Sequence, residues 1–364
     1  MFKNIYQGRK VLVTGHTGFK GSWLCLWLKQ MGAEIAGLSN LVPTIPSHYE
    51  LIGLKSMLSK EYFCDVRDYQ SVHTAIVDFQ PEILFHLAAE PIVSTCIAQP
   101  KLAFDTNLGG TVNILESLRL LQSVKAAVII TSDKCYENVE WEYGYRENDQ
   151  LGGKDPYSAS KACAEIAFSA YYRTYFANQK INIATARAGN VIGGGDWAKD
   201  RIVADCIRAI TNKNVLNIRS PKATRPWQHV LEPLSGYLNL AADLYLDQPR
   251  LRGESFNFGP KNDHNATVED VLAEMKKNWN LVQWQVDIQH AIHGKEAGLL
   301  KLNCDKAMTR LQWHSTLNFN QTIEFVSSWY EKWHNKDHQM IDVSIEQIAR
   351  FSEMAKQQNL TWTN

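Results

Sequence analysis

The sequence has no excess of charge of either sign: 38 basic residues balance 38 acidic ones. That balance excludes broad electrostatic capture of nucleic acid or of an anionic membrane, and leaves room only for a local basic pocket. No apolar run approaches the ~20 residues needed to span a bilayer, and the opening MFKNIYQGRK lacks the apolar core of a secretory signal. Cysteine is sparse, with 7 residues at positions 25, 64, 96, 135, 163, 206 and 304 and no Cys-x-x-Cys pair. A disulfide framework or a metal site is therefore not expected, and free thiols in a reducing cytoplasm are. There is no internal repeat and no low-complexity tract. What is present is ordinary globular material, 45% hydrophobic over 364 residues. It is enough for a large core divided into two lobes.

The first half alternates strand and helix patterns. Lys10–Thr14, Glu34–Leu38, Glu61–Cys64, Glu82–His86 and Ala126–Thr131 read as strands. Phe19–Met31, Asp68–Phe79 and Ala103–Leu121 read as helices, the first with Trp23, Leu24, Trp27, Leu28 and Met31 spaced to bury one face. Strands separated by helices need right-handed parallel crossovers. The expected fold is α/β, a doubly wound parallel sheet of Rossmann type with ligands beyond the carboxyl ends of its strands. After Ala186 the rhythm gives way to Gly-, Pro- and Trp-rich segments, with helices near Val268–Lys277 and Gln321–Lys332. The expected division is a cofactor domain over 1–186, with a possible return near 227–258. A smaller substrate lobe over 187–336 and a helical tail over 337–364, including Ser344–Gln357, complete it.

Between the first strand and first helix lies Gly15-His16-Thr17-Gly18-Phe19-Lys20-Gly21. Glycines there permit a tight turn and let backbone N–H groups approach a pyrophosphate at the positive end of a helix. The spacing is G-x-x-G-x-x-G, not the G-x-G-x-x-G of ordinary dinucleotide dehydrogenases. The second strand runs into Ser39-Asn40, with neither a carboxylate for a ribose hydroxyl nor an arginine for a 2′-phosphate. Asp65 and Val66 follow the third strand, where an adenine amino group is met. NAD is expected over NADP.

Tyr157 and Lys161 lie four residues apart at the start of a helix opened by Pro156. An ammonium on the same face lowers the phenol's pKa, so that it takes a proton from a sugar hydroxyl as hydride leaves the same carbon. About one Tyr-x-x-x-Lys arises by chance in this composition, and Tyr6/Lys10 is another match. Position after the fifth strand favours Tyr157. That strand closes in Thr131-Ser132-Asp133-Lys134. The expected roles are a hydrogen bond from Ser132 to the sugar hydroxyl, an acid in Asp133 and a base in Lys134. A solvated turn is the alternative.

Gly15–Gly21, Phe85-His86-Leu87-Ala88-Ala89, Thr106-Asn107-Leu108-Gly109-Gly110-Thr111 and Tyr157/Lys161 resemble the extended short-chain dehydrogenase/reductases that act on nucleotide sugars. Longer strings resemble the 4,6-dehydratases among them: Thr131–Asn138, Gly144–Lys161, Arg187–Arg201 and Arg225–Pro233. The resemblance implies oxidation at C4 of a glucosyl unit, loss of the C6 hydroxyl as water, and return of the hydride to C6. The enzyme is then formally a lyase, and the preference for a cytidine diphosphate sugar rests on resemblance alone. Relatives usually place Asp-Glu where this chain has Asp133-Lys134. NAD is expected to meet Gly15, Thr17, Gly18, Phe19, Lys20, Gly21, Ser39, Asp65 and Val66. Leu87, Ala88, Ala89, Asn107, Thr131, Tyr157 and Lys161 complete that expected set. The substrate is expected to meet Glu90, Asn190, Trp197, Arg201, Arg225 and His229, with Trp197 either on the base or in the core. A homodimer or homotetramer is implied, through helices around Ala103–Leu121 and Tyr157–Phe176.

Two other readings share parts of this pattern. A nucleotide-sugar epimerase or reductase would use the same loop and tyrosine, but neither needs an acid–base pair near C5 and C6. A non-catalytic dinucleotide sensor would have no use for the full Ser132, Tyr157 and Lys161 set.

Overall fold

The computed structural model describes residues 1–261, 266–287 and 299–364. The expected substrate lobe thus includes two short stretches outside the described residues. Among the described residues, the strands in chain order are β1 (Lys10–Thr14), β2 (Glu34–Ser39), β3 (Lys60–Phe63), β4 (Ile83–His86), β5 (Ala126–Ile130), β6 (Asn182–Ala188), β7 (Val191–Ile192), β8 (Leu216–Ile218), β9 (Gln228–His229), β10 (Ser255–Phe258) and β11 (Trp284–Val286). Seven of them form one parallel sheet in the order β10-β6-β5-β4-β1-β2-β3. The remaining four pair as β7 with β9 and β8 with β11.

Apolar residues occupy both faces of these strands because both faces are covered. In β1, Val11 and Val13 point into one hydrophobic cluster and Leu12 into the other. β4 repeats this with Ile83 and Phe85 against Leu84. The helices are α1 (Phe19–Gln30), α2 (His48–Leu51), α3 (Tyr69–Phe79), α4 (Val93–Ala98), α5 (Pro100–Phe104), α6 (Gly110–Leu120), α7 (Pro156–Thr174), α8 (Ile202–Thr211), α9 (Leu231–Tyr245), α10 (Val268–Asn278), α11 (Asp305–Leu311), α12 (Phe319–Asn335) and α13 (Met340–Gln357). α1 and α9 cover one face of the sheet, α3 and α6 the other. Strand order reverses between β1 and β4, and a crevice beyond their carboxyl ends follows from that reversal.

The structure refines the sequence expectations in three places. The helix expected over 103–121 begins at Pro100 and is interrupted by a π turn at Asp105–Gly109. Such wide turns occur where a helix must present a side chain sideways. Here it presents Asn107, whose amide bonds the Glu90 backbone and Ser160 Oγ. The strand rhythm also does not stop at Ala186. β6 continues to Ala188, and β10 returns to pair alongside it, with α9 buried almost all round. Lastly, the tail after Lys336 carries the expected helix, begun earlier at Met340, and it docks on the core. Phe351 and Trp362 pack on Trp27, and Trp362 stacks on Phe2 at 5.0 Å.

Candidate active site

The glycine loop closes onto the sheet so tightly that only glycine fits. Gly15 has φ +74, and a Cβ there would lie 2.8 Å from the Ala88 nitrogen. A Cβ on Gly21 would lie 2.1 Å from the Gly15 carbonyl oxygen. Gly18 opens α1 with no side chain capping the helix, so the first-turn N–H groups face the loop without a side-chain acceptor. Thr17 Oγ1 donates to the Leu41 carbonyl at 2.6 Å, and the Ala88 N–H donates to Thr14 Oγ1 at 3.1 Å. This uncapped, side-chain-free cradle fits a dinucleotide pyrophosphate. Ser39 is buried behind Thr17, while Asp65 accepts from Asn40 and pairs with Arg67. Hydrogen bonds from Arg67 hold its carboxyl below the usual range. Val66 packs against Gly110, where a Cβ would meet its side chain at 2.8 Å.

The sequence reading missed His16. It is fully buried, contacts Glu61 at 2.9 Å, and fills space that only a glycine at position 37 leaves free. Its signal, a glycine inside β2, is visible only once the partner is known.

At the head of β5 the reacting groups converge. Asp155 caps α7 by accepting from the Ser158 N–H, and Pro156 takes the first helical position. Tyr157 and Lys161 therefore point from the first turns of α7 toward the Ser132–Cys135 turn. Ser132 Oγ donates to Asp133 Oδ1 at 3.0 Å and accepts from the Lys134 N–H, and its hydroxyl acts to lower the pKa of the Tyr157 phenol. Lys134 Nζ stands 5.9 Å from the centre of the Tyr157 ring. Asp133 Oδ2 is buried without a partner, on the side closed by Gly189 and Pro226. Burial raises the Asp133 carboxyl above its ordinary value, and the Lys134 ammonium partly opposes it.

Groups other than Lys161 are the leading influences on the Tyr157 phenol. Burial pushes the phenol up to about 12, and the leading downward pulls come from the Ser132 hydroxyl and the Arg201 guanidinium. Lys161 donates instead to the Ile130 carbonyl at 3.4 Å, and burial lowers its amine to about 8. Lys20, from the glycine loop, donates to Tyr237 Oη and feels the charges of Lys161, Arg201 and Asp133. Burial brings its amine down to about 7. Loop and acid thus share one electrostatic neighbourhood.

The residues expected to meet the substrate separate into two groups. Arg201 lies close enough to influence both Tyr157 and Lys20, and its Nε is 3.8 Å from Asp196. Asn190 is half-buried, its carbonyl accepting from the Gln228 N–H. Arg225 lines a cavity of about 320 Å³ with Trp227, Gln228 and Thr316. Glu90 is half-buried, its carboxylate accepting from the Ile92 N–H. Trp197 and His229, however, belong to the core. Trp197 packs edge-on against Trp329, Tyr330 and Trp333. His229 is fully buried between Trp23 and Phe325, and burial drops its pKa to about 3.

A family model described as GDP-mannose 4,6 dehydratase matches residues 12–326. The chain belongs to that family. It is 45% identical over 337 residues to a CDP-glucose 4,6-dehydratase of Salmonella typhimurium, covering 91% of this chain and 93% of that one. A CDP-paratose 2-epimerase of Salmonella typhi is 27% identical, covering 69% of this chain and 78% of the relative. Among solved structures, a dTDP-glucose 4,6-dehydratase of Bacillus anthracis in complex with NAD superposes with TM-score 0.72 at 20% identity, covering 90% of this chain and 98% of that one. A UDP-glucose 4-epimerase of Thermotoga maritima gives TM-score 0.77 at 18% identity, covering 89% and 99%. At such identities the structural likeness speaks for the fold. Dehydratases and epimerases share that fold.

Proposed function

We propose that this chain converts CDP-D-glucose to CDP-4-keto-6-deoxy-D-glucose and water, as an NAD-dependent hydro-lyase. The observation that carries the reading is Asp133 Oδ2, a buried carboxyl oxygen with no partner, beside Ser132 and Tyr157 and next to Lys134. An alcohol oxidation alone has no use for a raised acid there; loss of a hydroxyl as water does. The likeness to the Salmonella CDP-glucose enzyme supports the choice of substrate.

NAD bound in the glycine cradle would supply a hydride acceptor for C4 and return the hydride to C6. Gly15, Gly18 and Gly21 would present backbone N–H groups to its pyrophosphate, with Thr17, Phe19 and Lys20 beside them. Ser39, Asp65 and Val66 would lie along the adenosine, and Leu87, Ala88, Ala89, Asn107 and Thr131 on the nicotinamide side. Tyr157 takes the C4 hydroxyl proton, with Ser132 orienting that hydroxyl and Lys161 supporting the phenolate. The ketone so formed acidifies C5. Lys134, as the uncharged amine, removes the C5 proton while Asp133 protonates the departing C6 hydroxyl, and C5 regains a proton as C6 is reduced. Asn190, Arg201 and Arg225 hold the diphosphate, a guanidinium being suited to phosphate oxygens, and Glu90 lies at the sugar. The working division is a cofactor domain over 1–186 joined by 227–258, a substrate lobe over the rest to 336, and a docked tail.

Turnover of CDP-glucose in deuterated water tests the reading directly. The expected product is lighter by one water and carries one deuterium at C5. Unchanged mass with inversion at C4 would replace dehydratase by epimerase. Turnover of only another nucleotide diphosphate glucose would remove the cytidine preference.

A further inference from the structure

Glu165 stands one helical turn beyond Lys161 on α7, buried, and has no part in the chemistry above. Its carboxylate accepts from four side chains. Thr131 Oγ1 comes from the end of β5, and Thr185 Oγ1 (2.9 Å) from β6. Arg187 of β6 gives two bonds (Nε 2.9 Å, Nη2 2.8 Å), and Ser255 Oγ of β10 gives one at 3.0 Å. Arg187 in turn donates to Tyr136 Oη at 2.8 Å and to the Glu147 carbonyl, and its guanidinium lies over the Tyr136 ring. The turn carrying Ser132, Asp133 and Lys134 is thus gripped at both ends, Thr131 and Tyr136, by one ion pair. The same carboxylate is the acidic side chain that acts on Lys161. The other groups acting on that amine or feeling its charge are Cys96 of α4, Cys135 of the turn, His86 of β4 and Lys20 of α1.

A buried ion pair of this kind is often replaceable by apolar residues at little cost in stability. Stability therefore does not account for an arrangement that spends one of the carboxylate's bonds on Thr131. We propose that Glu165 is a positioning residue for the dehydration inferred above, on which this inference rests. Through Thr131, and through Arg187 to Tyr136, it fixes the acid-bearing turn against the helix of Tyr157 and Lys161, and it supplies the negative charge beside the Lys161 amine.

The test separates positioning from stability with the paired variant Glu165→Leu/Arg187→Met, which removes both charges and keeps an apolar fill. It is expected to melt near the parent temperature, whereas Glu165→Gln alone, leaving a buried lone guanidinium, melts lower. Yet kcat of the paired variant with CDP-glucose should fall on the order of 100-fold, with KM held within about threefold. A paired variant that regains parental kcat along with parental melting would overturn the inference. A second measurement does not depend on turnover. In enzyme carrying [13Cε]lysine, the resonance absent from Lys161→Met should titrate at lower pH in the paired variant, and an unmoved midpoint would also overturn the inference. A parent chain that fails to turn over CDP-glucose sinks the proposed reaction instead, while the lysine titration still judges Glu165.

Discussion

Asp133 and Lys161 are both taken out of water at the head of β5, and their protonation equilibria move in opposite senses. Each shift favours the uncharged form: the carboxyl keeps its proton to higher pH, and the amine loses its proton at about 8. Asp133→Asn keeps the shape but cannot donate an acidic proton. The variant should still oxidise CDP-glucose, with elimination slowed by roughly 10²–10⁴. Reduced cofactor would then accumulate and be read by its near-ultraviolet absorbance; a variant that dehydrates at the parental rate removes Asp133 from the role of acid. The stalled variant also isolates the oxidation for a pH study. The phenolate fraction of Tyr157 rises tenfold per pH unit below about 12, while the ammonium fraction of Lys161 falls above about 8. Their product rises with unit slope to about pH 8 and is flat beyond. Lys161→Arg, charged throughout, should go on rising past that point, and a levelling-off that persists in it would count against Lys161 as the titrating group.

α1 and α7 show why some elements announce themselves. The loop Gly15–Gly21, the Pro156 start and the four-residue spacing of Tyr157 and Lys161 are local patterns, and each was readable from the chain. α9 was not, because it is buried on nearly every side, Glu232, Ser235, Asn239 and Asp243 included, and so lacks a clean polar face opposite an apolar one. The π turn that presents Asn107 was hidden for a related reason, since its bonds reach Glu90 and Ser160 far along the sequence. Trp197 and His229 sit in strings that read as substrate-facing, but a string does not tell which way a side chain points. The ion pair of Glu165 and Arg187 joins α7 to β6 across 22 positions, so no spacing rule detects it. The glycine loop also yields a test. A methyl on Gly21 would enter the Gly15 carbonyl, so Gly21→Ala should weaken cofactor binding by tenfold or more, about 1.4 kcal/mol. Fluorescence titration with the dinucleotide reads this, with circular dichroism to show that the sheet persists. Unchanged affinity would mean that the cradle is not where the pyrophosphate rests.

The molecule as a whole closes on itself through aromatic contacts between the first residues and the last. Trp362 is buried against Phe2, Trp27 and Phe351, so Trp362→Ala should cost about 3–5 kcal/mol, seen as a lower melting temperature in calorimetry. A melt that does not move would mean that the last turn is peripheral to the core. The α6 and α7 side offers a different kind of surface. Ile166 is 58% exposed and Leu120 51% exposed, on the two helices through which the resemblance implies a homodimer or homotetramer. Ile166→Glu should shift sedimentation toward the monomer, and an unchanged oligomer would place the interface elsewhere. No helix among the described residues is long and apolar enough to cross a membrane.

The seventh strand of the main sheet, β10, arrives only after the chain has left for α8, β8 and β9 and come back, bringing α9 with it. An engineer hoping to transplant the nucleotide-holding half into a chimera cannot simply cut after β6. Such an excised piece would bare the backbone edge of β6 and the apolar face that α9 shields, and it would clump. Circular permutation, or a graft that carries 231–258 along, is the workable route.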